Sequence, residues 1–119
     1  MPIRNPARTA MIALALMLVA GGCTPPTPQE RQAEQIRDTA EAQADAIEAE
    51  AEDRAAKLEA EAEAMLNQAG QSGNYDARRA KVYAEAKRAD ARLVREQAEA
   101  KARAIRDAGR ARASALLAK

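Results

Sequence analysis

A chain that performs chemistry on a substrate needs a nucleophile, an acid or base, or a set of metal ligands, and this sequence offers few. It holds one cysteine, Cys23, and no histidine. A lone thiol cannot close a disulfide within its own chain, and without histidine it cannot complete the usual zinc sites. No hydroxyl has an imidazole to activate it, and no glycine-rich phosphate loop occurs. The carboxylates recur at spacings of two and four in an alanine-rich region, as at Glu48, Glu50 and Glu52, the pattern of a solvated helix face. These features point to a non-enzymatic protein with no catalytic residues, no metal or cofactor and no small-molecule substrate. What remains is the chemistry of one thiol.

That thiol sits in "LALMLVAGGCTPP", residues 14–26. The segment before it, "MPIRNPARTA", carries Arg4 and Arg8 and no acid, and residues 10–22 are uncharged. A basic start, a short apolar run and small residues at its end (Ala20, Gly21, Gly22) describe a secretory signal peptide. The run is shorter than the ~20 residues a spanning helix needs.

"LVAGGC" resembles the lipobox of bacterial lipoproteins, with Ala20, Gly21 and Gly22 preceding the modified cysteine. The resemblance implies that Cys23 is lipidated, that the signal peptide is cut before it, and that the new amino terminus is acylated. Ala20 stands where that family favours leucine. Thr24, in place of the aspartate that retains enteric lipoproteins at the inner membrane, implies an outer-membrane protein facing the periplasm. Two or three acyl chains hold a protein on a membrane stably, at ~0.8 kcal/mol per buried CH₂. "TPPTPQ" then reads as an extended spacer.

Composition sets what the rest can build. Of 119 residues, 47% count as hydrophobic, yet Phe and Trp are absent and Tyr75 and Tyr83 are the only aromatics. The apolar content is mostly alanine, and one methyl buries ~0.8 kcal/mol. Such material makes long helices rather than a layered core. From Glu30 onward there is no proline. Stepping 4, 4, 3 from Ile36 meets Ala40, Ala44, Ile47, Ala51, Ala55, Leu58, Ala62, Leu66 and Ala69. The larger residues recur every eleven positions, and Tyr83, Val94, Ile105 and Leu116 repeat that interval. An eleven-residue period is ~3.67 per turn, close to a straight helix.

The expected class is therefore all-α, long alanine-rich helices with an eleven-residue repeat, as a helical hairpin or an extended coiled coil. "AGQSGNYD", residues 69–76, is a turn signal. Gly70 or Gly73 could take the left-handed conformation that ends a helix, and Asp76 could cap the next. The chain divides into a signal peptide (1–22), a proline-rich spacer headed by Cys23 (23–29), an acidic helix (30–69), a glycine-rich turn or kink (70–75) and a basic helix (76–119). Residues 30–69 carry twelve acids against four bases, net −8, while residues 76–119 carry thirteen bases against six acids, net +7. A fold-back at residues 72 and 73 would set position i against 145 − i. Ile47 would then meet Ala98, Ala51 would meet Val94, Ala62 would meet Tyr83 and Ile36 would meet Gly109, large against small. Alternatively, one continuous helix would pair antiparallel with another copy.

An alanine core predicts further association, with a second copy or an envelope protein. Beyond Tyr83 the basic half lacks the stacking aromatics of a nucleic-acid binder, and no nucleic-acid partner is expected. "ASALLAK" ends in Lys119, and with Cys23 and the alanine-lined helix this resembles Braun-type and alanine-zipper murein lipoproteins. That resemblance implies attachment of Lys119 to peptidoglycan, tying membrane to wall. The chain departs from those proteins in its eleven-residue repeat, its greater length and its glycine-rich break. "AEAQADAIEAEAEDRAAKLEAEAEAML" also resembles the stalk helices of the ATP synthase b subunit, a likeness of coiled-coil physics. A third expectation is an accessory helical subunit of an envelope complex.

Overall fold

The computed structural model describes residues 24–71 and 73–119, so the expectations about the signal peptide and Cys23 fall outside the described residues. The described chain is two helices, α1 (Pro28–Ala69) and α2 (Asn74–Leu117). Glu61, late in α1, pairs with Lys87, early in α2, and Glu41 pairs with Arg106 near the other end. The helices are thus antiparallel, forming a hairpin rather than one continuous bent helix. At 1.5 Å per residue, arms of 42 and 44 residues extend ~65 Å.

α1 begins two residues before the expected boundary, inside the proline-rich spacer. Thr27 is its N-cap, accepting the Glu30 N–H on Oγ1 at 3.1 Å, while Glu30 Oε2 accepts the Thr27 N–H at 2.7 Å. Pro28 occupies the first helical position, where its missing N–H has no partner to lose and its fixed φ suits the helix. Proline opens this helix instead of blocking it.

The reversal also departs from expectation. No described residue has a positive φ. Gly70 stays right-handed at φ −62°, its N–H donating to Leu66 O at 3.1 Å, and Gln71 N–H donates to Gln68 O at 3.2 Å. Gly73 is extended at φ −65°, ψ 165° and serves as the N-cap of α2, the role expected of Asp76. Asp76 lies instead within the first turn, where a negative charge faces the positive end of the helix dipole. The α1 ladder closes by tightening, and the turn is shorter than the expected 70–75.

Every alanine of the expected α1 stripe is buried, with Ala33 added, and α2 answers with Ala84, Ala91, Ala98, Ala102, Gly109 and Ala113. The expected large-against-small seam is not what forms. No side chain larger than alanine is fully buried among the described residues. Ile36, Ile47, Leu58, Val94, Ile105 and Leu116 are half-buried along the seam's edge. Tyr83, expected opposite Ala62, remains 50% exposed while its neighbour Ala84 takes the buried position. The expected register holds to within a turn, since a Cβ on Gly109 would lie 3.6 Å from the Ile36 carbonyl oxygen. Alanine against alanine lets the helices approach at the short end of the usual 8–10 Å range.

The helices come close at Gly109, where an added Cβ would overlap the Cβ of Ala40. Gly109→Ala gains ~1 kcal/mol of helix propensity but overpacks the seam, which costs ~1–3 kcal/mol. Thermal unfolding followed by circular dichroism should show a lower Tm for Gly109→Ala. Adding Ala40→Gly should recover part of the loss, because the overlapping methyl is then removed from the other side.

Candidate functional site

Of the two residues singled out by sequence, Cys23 lies outside the described residues, and Lys119 follows the end of α2 at the level of Pro28 by the observed register. Among the described residues no buried polar side chain occurs, and no three metal-ligand side chains gather. No described helix is long and apolar enough to cross a membrane. The features that can act are the two edges of the seam, one carrying the arginine clamps and the other the larger apolar side chains.

One edge is a ladder of ion pairs. The Arg106 guanidinium donates from Nε to Glu41 at 2.9 Å, from Nη1 to Glu48 at 2.9 Å and from Nη2 to Asp45 at 2.8 Å. Arg95 donates from Nε and Nη2 to Glu52 at 2.9 and 2.8 Å, and from Nη1 to Glu59. Arg88 follows with Glu63 at 3.2 Å. The arginine side chains remain 25% (Arg106) and 34% (Arg95) exposed, so each is a clamp over the seam rather than a buried charge. Donors and acceptors obey the same period as the core: Arg95 and Arg106, Glu41 and Glu52, and Glu48 and Glu59 are each eleven apart. The ladder stops where the period meets Ala84 on one side and Leu117 on the other. Sequence reasoning treated these carboxylates as a solvated face; the shared spacing of acids on α1 and arginines on α2 was the signal that could have found the clamps.

The clamps perturb the groups they join. The hydrogen bond from Arg106 holds the Glu48 carboxyl below its ordinary 4.5. Arg95 does the same to Glu52 and Glu59. Both guanidiniums are raised in turn, chiefly by hydrogen bonds to Glu52 and Glu59 for Arg95 and to Glu48 and Glu41 for Arg106.

The opposite edge is apolar. Val94 precedes Arg95 and Ile105 precedes Arg106, and consecutive helical residues point ~100° apart, so the pairs straddle the seam. Ile36 and Ile105 line an open cleft of about 600 Å³ with Gly109 and Gln43. Ile47 and Val94 line the next, about 200 Å³, flanked by Glu50 and Lys101. Met65 and Tyr83 line a third of about 450 Å³ beside the turn. Lys87 and Glu61, bonded at 2.6 Å, bridge this edge between the second and third clefts. Near the turn, Arg79 donates to the Tyr83 hydroxyl at 3.4 Å and sits 5.5 Å from the ring centroid, a contact that raises the Arg79 pKa.

In comparisons with known proteins, no family model, no curated protein and no solved structure matches the chain.

The ion-pair ladder makes hairpin stability pH-dependent with a definite sign. A carboxyl depressed by folding contributes stability that is full above its ordinary value of 4.5 and is lost as the pH falls through its lower value in the hairpin. The Tm should therefore hold down to about pH 5 and fall below about pH 4.5. Replacing both Arg95 and Arg106 by Gln should flatten that acid limb, and ~1 M salt should shrink it by screening. A double variant with an unchanged acid limb would remove the clamps from the account.

Proposed function

We propose that this chain is a non-enzymatic cell-envelope lipoprotein, anchored through an acylated Cys23 and carrying a rigid helical hairpin used for assembly or partner binding. The observation that carries the reading is the position of the only cysteine, directly after an uncharged apolar run and three small residues. The fold is compatible with it. α1 starts at Pro28, so only Thr24–Thr27 would separate the acylated residue from the rod, a leash of at most ~14 Å. Along the rod, the ion-pair ladder locks the arms together and leaves an apolar groove open for contact.

Outer-membrane attachment facing the periplasm follows from the residue after the cysteine, Thr24, which is not aspartate. The hairpin favours the anchored reading over a wall tether. By register Lys119 falls level with Pro28, so neither arm would add reach between the two attachment points.

Mass spectrometry of the amino-terminal peptide tests the anchor. The expected result is a peptide beginning at Cys23 that carries a diacylglyceryl thioether and an amide-linked acyl chain. A Cys23→Ser variant should leave the membrane fraction. A bare thiol in the mature protein, with the variant fractionating as the wild type does, would overturn the reading.

A further inference from the structure

The hairpin leaves a periodic row of large apolar side chains only partly covered along one edge. Its seam is alanine and Gly109, with nothing larger fully buried among the described residues. Ile36, Ile47, Val94 and Ile105 reach past the seam and end half-exposed in two consecutive clefts. The other edge is covered by the Arg95 and Arg106 clamps. A groove of this length, with large residues from both walls at matched heights every eleven positions, has the form that receives helices.

We propose that the apolar groove is the contact face between two copies of this chain. They pack groove to groove about a two-fold axis parallel to the hairpin, so that α1 of each copy lies across α2 of the other. Charge selects this occupant and this orientation. With the two-fold axis along the rod, the −8 arm of one copy faces the +7 arm of the other, and every adjacent pair of helices is antiparallel and of opposite sign. With the axis across the rod, α1 would face α1 and α2 would face α2, setting like charges together, which disfavours association. The groove rim carries the complement it needs: Glu50 on α1 and Lys101 on α2 flank the same cleft. The rotation brings Lys101 of each copy over Glu50 of the other. Arg106 is centred between Glu41 and Glu48 and Arg95 between Glu52 and Glu59, which sets Ile105 level with Ile47 and Val94 level with Leu58. Ile47 and Ile105 from both copies therefore close into one layer, and Leu58 and Val94 form the next. The product is a four-helix bundle with large apolar side chains inside and both turns at one end.

The inference deepens the assembly element of the proposed function but stands on the hairpin alone, so the two fail separately. A bare Cys23 in a paired protein would remove the anchor only, and an acylated single copy would remove the pairing only.

Sedimentation of the full chain in mild detergent should give the mass of two copies. Ile47→Glu should raise the dissociation constant roughly tenfold or more by putting a charge into the closed layer, with helicity retained, because Ile47 is half-exposed in the single hairpin. Leu93→Glu, at a residue 50% exposed beside Val94 but away from the groove, should leave pairing unchanged. If Ile47→Glu loses helicity, the exposed rim variant Lys101→Glu decides, and it must weaken pairing. A nitroxide carried by a noncanonical residue at position 71 then reports orientation. Copies with their turns together give a spacing of about 20–30 Å, two to three helix diameters, whereas opposed copies give ~60 Å or more. A single-copy mass, pairing indifferent to Ile47→Glu and Lys101→Glu, the long spacing, or a different protein in stoichiometric amount in the groove would each overturn the proposal.

Discussion

Two helices can lie against each other over six turns or more only if nothing bulky stands between them, and this hairpin meets that condition with methyl groups. Alanine recurs at the seam on both arms, and Gly109 takes its place where a methyl would overlap Ala40. Close approach shortens the distance a guanidinium must span to the opposite helix, so Arg95 can engage carboxylates two turns apart and Arg106 three carboxylates over the same span. It also leaves the isoleucines and valine no room at the centre and displaces them to an edge. The ion-pair ladder and the apolar groove are both consequences of an alanine seam.

The two edges divide labour. Single exposed ion pairs contribute little, but a guanidinium held by two or three carboxylates has its geometry fixed by several bonds at once. The ladder therefore acts on register: sliding one arm by a residue would misalign both clamps together. An alanine seam by itself discriminates poorly between neighbouring registers, since a methyl fits many positions. Charge supplies the specificity that the core lacks.

Much of the fold was legible in the sequence because its signal is periodic. The stepping pattern from Ile36 identified the buried face of α1, and the opposed charges of the halves pointed to arms that attract. What escaped was local or depended on the partner arm. Proline read as a helix breaker, yet Thr27 and Glu30 form a reciprocal cap around Pro28. The glycines read as left-handed stops, but Gly70 continues the helix and Gly73 caps the next. Tyr83 shares the spacing of Val94 and Ile105, which lie at the seam's edge, and stays exposed while its neighbour Ala84 is buried. The carboxylates of α1 could be assigned partners only with α2 alongside. For Cys23, its surroundings in sequence remain the whole of the case.

Because core, clamps and groove all share one period, the hairpin has a natural unit of growth. One segment of eleven residues in each arm, about 16 Å of rod, carries a complete set of seam alanines, an arginine and its two glutamates. Deleting or duplicating such a segment in both arms together would shorten or lengthen the rod while keeping every remaining pair in phase. The same change in one arm alone would strand a clamp without acids, or acids without a clamp. The molecule is built like a folding rule, graduated in equal divisions on both limbs.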